Sequence, residues 1–197
     1  MERPPFVGLT GGIGAGKSEA LAALERLGAA TLSSDAVVHD QYADPELVAA
    51  VRDRWGEEVA PDGVVDRRAI ARRAFASDAE RGWLESRLWP RVGAEIGKWI
   101  EEQSALAEPP RALVVEVPLL FESGLDRGYD ATVAVVADEE IRAQRAGSRG
   151  HEAVSERTER QLTQAEKAER ATYVVANDGS LAELERALSE ILDTLNP

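Results

Sequence analysis

Residues 11–18 read Gly-Gly-Ile-Gly-Ala-Gly-Lys-Ser and carry the spacing G-x-x-x-x-G-K-S. Successive backbone N–H groups of such a loop, backed by a helix N-terminus, form a concavity that favours phosphate oxygens. In this pattern Lys17 reaches the β- and γ-phosphates of a nucleoside triphosphate, and the Ser18 hydroxyl ligates Mg2+. The expected contacts to the nucleoside triphosphate are Gly11, Gly12, Gly14, Ala15, Gly16, Lys17, Ser18 and Glu19. Only three of the 23 basic residues are lysine, and one of the three stands where the loop needs it.

Other residues have the type and place to do chemistry, each with a plainer reading beside it. Asp35 directly follows an apolar run ending at Ser33, and ligands gather at the carboxyl ends of strands in open α/β sheets. It either accepts a hydroxyl proton (or holds Mg2+ through water) or N-caps the helix that begins beside it. His39 lies one helical turn further on, as a site residue or a surface one. Arg142, Arg145 and Arg149 share nearly one face of a charged helix. They form either a lid over a phosphate site or a solvated face balanced by Asp138, Glu139, Glu140 and Glu152. Glu116 sits in an apolar strand, where a carboxylate is costly unless paired. The Pro118-Leu119-Leu120-Phe121 run after it is either core or an apolar wall for an acceptor. Trp55, Trp83, Trp89 and Trp99 are expected as core anchors of a helical region.

The elements that must position these groups are legible from periodicity. Strands are expected at Phe6–Thr10, Ala29–Ser33, Ala112–Val117, Ala131–Val136 and Tyr173–Ala176, alternating with helical patterns, which predicts a parallel sheet covered on both faces. A helix runs from the loop to Leu27, with Gly28 as its stop. From Pro45 to about Ala107 the pattern is helical, broken at Pro61-Asp62-Gly63. Ile141 to Arg170 is charged and mostly helical. A final helix, Leu181–Leu195, follows the cap Asp178-Gly179-Ser180. The expected organisation is a core of residues 1–44, 109–137 and 171–197, a helical insertion at about 45–108, and a lid at about 138–170.

Composition sets bounds. At 197 residues the chain suits one core domain with insertions. A net charge of −13 disfavours a broad nucleic-acid surface. No apolar run is long enough for a membrane span. The first strand begins too early to leave room for a signal peptide. Cysteine is absent, which excludes disulfides and thiolate metal sites and fits a cytoplasmic protein.

Taken together, the motifs resemble those of the dephospho-coenzyme A kinases. The resemblance is carried in order by Gly8-Leu9-Thr10-Gly11-Gly12-Ile13-Gly14-Ala15-Gly16-Lys17-Ser18, by Asp35, by Gly63-Val64-Val65-Asp66-Arg67, and by Val117-Pro118-Leu119-Leu120-Phe121-Glu122. Arg145 and Arg149, then Arg160, Gln164 and Lys167, then Asn177-x-Gly179 complete it. It implies an α/β three-layer P-loop fold with a five-stranded, mostly parallel sheet, a helical acceptor-binding insertion and a helical lid. It further implies transfer of phosphate from ATP, with Mg2+, to the ribose 3′-hydroxyl of dephospho-coenzyme A. Asp35 would be the base, and Lys17, Arg145 and Arg149 would stabilise the phosphoryl group. Asn177 would line the adenine side, and Thr10, Asp35, His39, Arg67, Pro118, Leu119 and Leu120 would face the acceptor. The chain departs from the family pattern at Ser33 and Ser34, where Asp-Ala is usual, at Trp89 in place of a histidine, at Thr172 in place of an aspartate, and at Gly147 in the lid.

Two other readings share the loop. A related kinase would phosphorylate a nucleoside, nucleotide or other small alcohol. A nucleotide-dependent switch would carry an Asn/Thr-Lys-x-Asp guanine motif, and none of the three lysines stands in one.

Overall fold

Strand β1 (Phe6–Gly11) is buried along its whole length, as a strand covered on both faces must be. The computed structural model describes residues 3–147 and 161–196. The other strands are β2 (Ala30–Ser33), β3 (Leu113–Glu116), β4 (Ala131–Val136) and β5 (Tyr173–Ala176), each within a residue of its expected bounds at either end. They form one sheet in the order β2-β3-β1-β4-β5, and every pairing is parallel.

That order decides where a ligand fits. The chain leaves β1 toward the β2 edge, whereas it leaves β3 and β4 toward the β5 edge. Neighbouring connections therefore diverge at the carboxyl end of β1, the kind of switch point where α/β proteins hold ligands. The Gly11–Ser18 loop starts there.

Helix α1 (Lys17–Arg26) ends at Leu27, and Gly28 follows with φ 90°. Helix α8 (Leu181–Leu195) is launched by a reciprocal capping box between Ser180 and Glu183. Leu184, Leu188 and Leu192, at helical spacing, join Ala20, Ala23 and Leu24 of α1 and Val7, Val114, Val133 and Val175 of the sheet in one core. Burying each of those leucines contributes about 1.5–3 kcal/mol. Two shorter helices, α6 (Glu139–Gly147) and α7 (Gln164–Arg170), lie in the region expected as a lid. Arg149 lies outside the described residues.

The chain divides into two compact units, Met1–Ser33 with Glu102–Pro197, and Ser34–Glu101. The second unit consists of α2 (Ser34–Gln41), α3 (Pro45–Trp55), α4 (Arg67–Ala74) and most of α5 (Asp78–Ser104), with two short 3₁₀ turns around Pro61-Asp62-Gly63. Asp44 caps α3 ahead of Pro45, and Asp66 caps α4. Its core gathers Leu47, Val51, Val59, Ile70, Leu84 and Leu88. Trp55 and Trp83 pack edge to face there, with centroids 5.0 Å apart, and the Trp55 indole donates to Glu80. Trp89 departs from the expectation of a core anchor, being 44% exposed. Among the described residues no helix is long and apolar enough to cross a membrane.

In the sheet unit, Tyr129 stacks on Phe6 with centroids 4.4 Å apart. Burial pushes its phenol up to about 12. The neutral form is the one the fold holds, so this contribution is present below the ordinary tyrosine value near ~10 and is lost as pH rises through it toward the folded value. Ultraviolet titration should leave Tyr129 protonated at about pH 11 in the folded protein. The Tyr129→Phe variant should lack the last ionisation step, and an unchanged final step would show that another tyrosine is the buried one.

Candidate functional site

A loop that turns its N–H groups toward a ligand leaves its carbonyls to be satisfied elsewhere. Here that duty falls on three side chains. Lys17 Nζ donates to the carbonyls of Gly11 and Gly12 at 3.1 and 3.3 Å. Arg142 Nε donates to the Ile13 carbonyl at 3.0 Å. Asn177 Nδ2 donates to the Ala15 carbonyl at 2.9 Å, and Asn177 is itself buried. Gly14 and Gly16 adopt φ of 76° and 91°, where a side chain is strained. A Cβ on Gly14 would lie 2.5 Å from the Arg142 carbonyl oxygen, and one on Gly16 would collide with the Asn177 amide. The Lys17 backbone opens α1, with Ser18 and Glu19 exposed in its first turn.

Helix α6 is thereby seated on the loop. Arg142 also pairs with Glu139 at 2.7 Å, and Arg145 Nη1 donates to the Asn177 carbonyl at 3.0 Å. Arg142, Arg145 and Arg149 are the arginines expected here, and the described part of this helix sets the Arg142 guanidinium on the Ile13 carbonyl of the loop. The spacing of Arg142 and Arg145 puts both on one face, and spacing alone does not tell which of them touches the loop. Asn177, expected beside the adenine, has its amide turned into the loop backbone.

On the other side of β1 lies a second polar cluster. Lys167 of α7 is fully buried, and its ammonium donates to the Pro118 carbonyl at 2.7 Å, to Glu122 at 2.8 Å and to Thr10 Oγ1 at 3.3 Å. Burial pushes the Lys167 ammonium down, and the Glu122 carboxylate opposes that shift. Gln161 Nε2 also reaches the Pro118 carbonyl, and the Leu162 N–H donates to Glu122. One helical turn before Lys167, Gln164 exchanges both amide hydrogen bonds with Ala137, just past β4. Pro118 and Leu119 are half-buried, whereas Leu120 is fully buried.

Glu116 finds the partner an apolar strand demands. It lies beside Ser33 in the β2–β3 register, and the Ser33 hydroxyl donates to it at 3.0 Å. At another departure from the family pattern, Thr172 and Thr132 each accept the other's backbone N–H at 3.0 Å, stitching the entry of β5 to β4. In the helical unit, Asp35 is the second residue of α2 rather than its cap. His39 is exposed near the end of that helix, and Arg67 is exposed at the start of α4. Among the described residues no group of three His, Cys, Asp or Glu is placed to hold a metal ion.

A phosphate loop between β1 and α1 of an all-parallel sheet, with an arginine helix seated on it, defines an α/β P-loop protein of the kinase class. The family model for dephospho-CoA kinase matches residues 5–183, and the chain belongs to that family. It is 35% identical to dephospho-CoA kinase of Protochlamydia amoebophila over 96% of this chain and 95% of that one. It is 37% identical to the enzyme of that name from Deinococcus radiodurans over 98% and 93%. Among solved structures it resembles TT1252 from Thermus thermophilus, with a TM-score of 0.83, 35% identity and full coverage of both chains.

Removing the Asn177 amide leaves the Ala15 carbonyl without its buried donor. Asn177→Ala should cost about 1–3 kcal/mol in urea denaturation and weaken binding of a fluorescent ATP analogue. Equal midpoints and equal affinity would show that the loop holds its shape unaided.

Proposed function

We propose that the chain transfers the γ-phosphoryl group of ATP to the ribose 3′-hydroxyl of dephospho-coenzyme A, giving coenzyme A and ADP, the last step of coenzyme A synthesis. The observation that carries this is the family match over residues 5–183, on a chain whose phosphate loop is complete in sequence and conformation. The loop N–H groups and the α1 N-terminus bind the phosphates, and the Lys17 ammonium spans the β- and γ-phosphates. Asp35 accepts the proton of the 3′-hydroxyl while that oxygen bonds to phosphorus and the bridging P–O bond to ADP breaks. Arg145 faces the charge that gathers on the phosphoryl oxygens, and Arg149 is assigned the same duty by resemblance. Such transfer relies on positioning and charge stabilisation, which this set of residues supplies.

A divalent ion fits the donors here. Ser18 offers one exposed hydroxyl oxygen in the first turn of α1, and Mg2+ characteristically takes few protein ligands, keeping waters and phosphate oxygens. When bound, Mg2+ offsets charge on the phosphates. His39, Arg67, Pro118 and Leu119 are assigned to the acceptor side, with the fully buried Thr10 and Leu120 packing beneath. The organisation proposed alongside is a helical acceptor-binding insertion and a lid containing α6. Dependence on ATP is in line with a cytoplasmic enzyme, and the acidic net charge with small-molecule rather than nucleic-acid partners.

Incubation with ATP, Mg2+ and dephospho-coenzyme A, beside a panel of nucleosides, should give one phosphorylated product, identified by mass as coenzyme A. A phosphorylated nucleoside instead would point to the related kinase, and ATP hydrolysis without any acceptor to a switch. Asp35→Asn should retain ATP binding and lose turnover by about 10²–10⁴-fold. A near-normal rate would return Asp35 to a purely structural place in α2.

A further inference from the structure

Lys167 is the one charged side chain buried outright among the described residues, and nothing in the proposed chemistry uses it. An ammonium carries three donors, and here they meet three acceptors: the Pro118 carbonyl, the Glu122 carboxylate and the Thr10 hydroxyl. Those acceptors belong to different segments. Thr10 is the residue before the phosphate loop, and Pro118 and Glu122 bracket the loop after β3. A buried ion pair adds little net stability over a well-packed apolar pair, because desolvation offsets its attraction. What three directed hydrogen bonds do supply is geometry. The surroundings reinforce it, since Thr10 donates to the same Pro118 carbonyl and Leu162 N–H to the same Glu122.

We propose that Lys167 is a positioning residue for phosphoryl transfer. It fixes the Pro118–Glu122 loop against the strand that carries the phosphate loop, so the acceptor side keeps its register with the donor side. This inference rests on the assignment of Pro118 and Leu119 to the acceptor. Lys167 itself, fully buried among its three partners, acts through them.

Two variants separate geometry from charge balance. Lys167→Met leaves Glu122 buried without its ammonium, whereas the double variant Lys167→Met, Glu122→Gln removes both charges. The double variant should melt close to the wild type and bind a fluorescent ATP analogue within about threefold of it. Its kcat/KM for dephospho-coenzyme A should nevertheless fall about a hundredfold, with KM for ATP unchanged, as expected when reacting groups lose alignment. Amide hydrogen exchange should rise across residues 118–124 and stay unchanged across 6–11. The inference is overturned by recovery of kcat/KM in the double variant, by a parallel loss of ATP affinity, or by unchanged exchange at 118–124. Failure of both variants to fold would make Lys167 a stability element and also overturn it. Absence of dephospho-coenzyme A turnover by the wild type would defeat the proposed function separately, and the exchange data would still decide whether Lys167 anchors the loop.

Discussion

A peptide that offers its N–H groups to a polyanion must keep its carbonyl oxygens occupied away from that anion. The rest of the sheet unit follows from this constraint. Lys17, Arg142 and Asn177 together take the carbonyls of Gly11, Gly12, Ile13 and Ala15. They come from three places in the chain: the loop itself, α6 after β4, and the turn after β5. The parallel order of strands brings those places together at the carboxyl ends of the strands. The absence of a Cβ at Gly14 and Gly16 then leaves room for α6 and Asn177 to close in.

Charge is managed by pairing rather than by excess. The chain is strongly acidic, yet the loop that suits a polyanion is ringed by Lys17, Arg142 and Arg145. On the far side of β1, Lys167 answers Glu122 inside the protein, and Glu116 accepts a hydrogen bond from the Ser33 hydroxyl. Buried polar groups left unanswered would cost more than either pairing contributes. This explains why such residues fall at strand ends, where hydroxyls, carbonyls and side chains of neighbouring strands converge.

The strands were legible because a central parallel strand must be apolar on both faces, and runs such as Ala131–Val136 have no other reading. The loop was legible because its chemistry is local, confined to eight consecutive residues. Partners that depend on long-range approach were not. Arg142 and Arg145 share a face, and only the docking of α6 shows Arg142 against the loop. Lys167 stands in a charged helix, Gln164–Arg170, that reads as solvated by composition. The family resemblance singled it out, without showing that its ammonium turns inward. Asn177 gave no sign that its amide turns inward, and Trp89 gave none that it stays outside. The pairing of Glu116 with Ser33 needed the register of β2 on β3.

The bond from Asn177 to Ala15 spans 162 residues of sequence. The first eighteen residues thus encode a cradle whose own carbonyls are not all satisfied until β5 has been made and docked. Contacts of such long range are slow to form, because loop closure must precede any gain from them. A ribosome-bound chain carries the motif early but assembles the finished receptor late. The finished geometry of the cradle therefore arrives together with the closing of the sheet by β5, on completed folding rather than on synthesis of the motif.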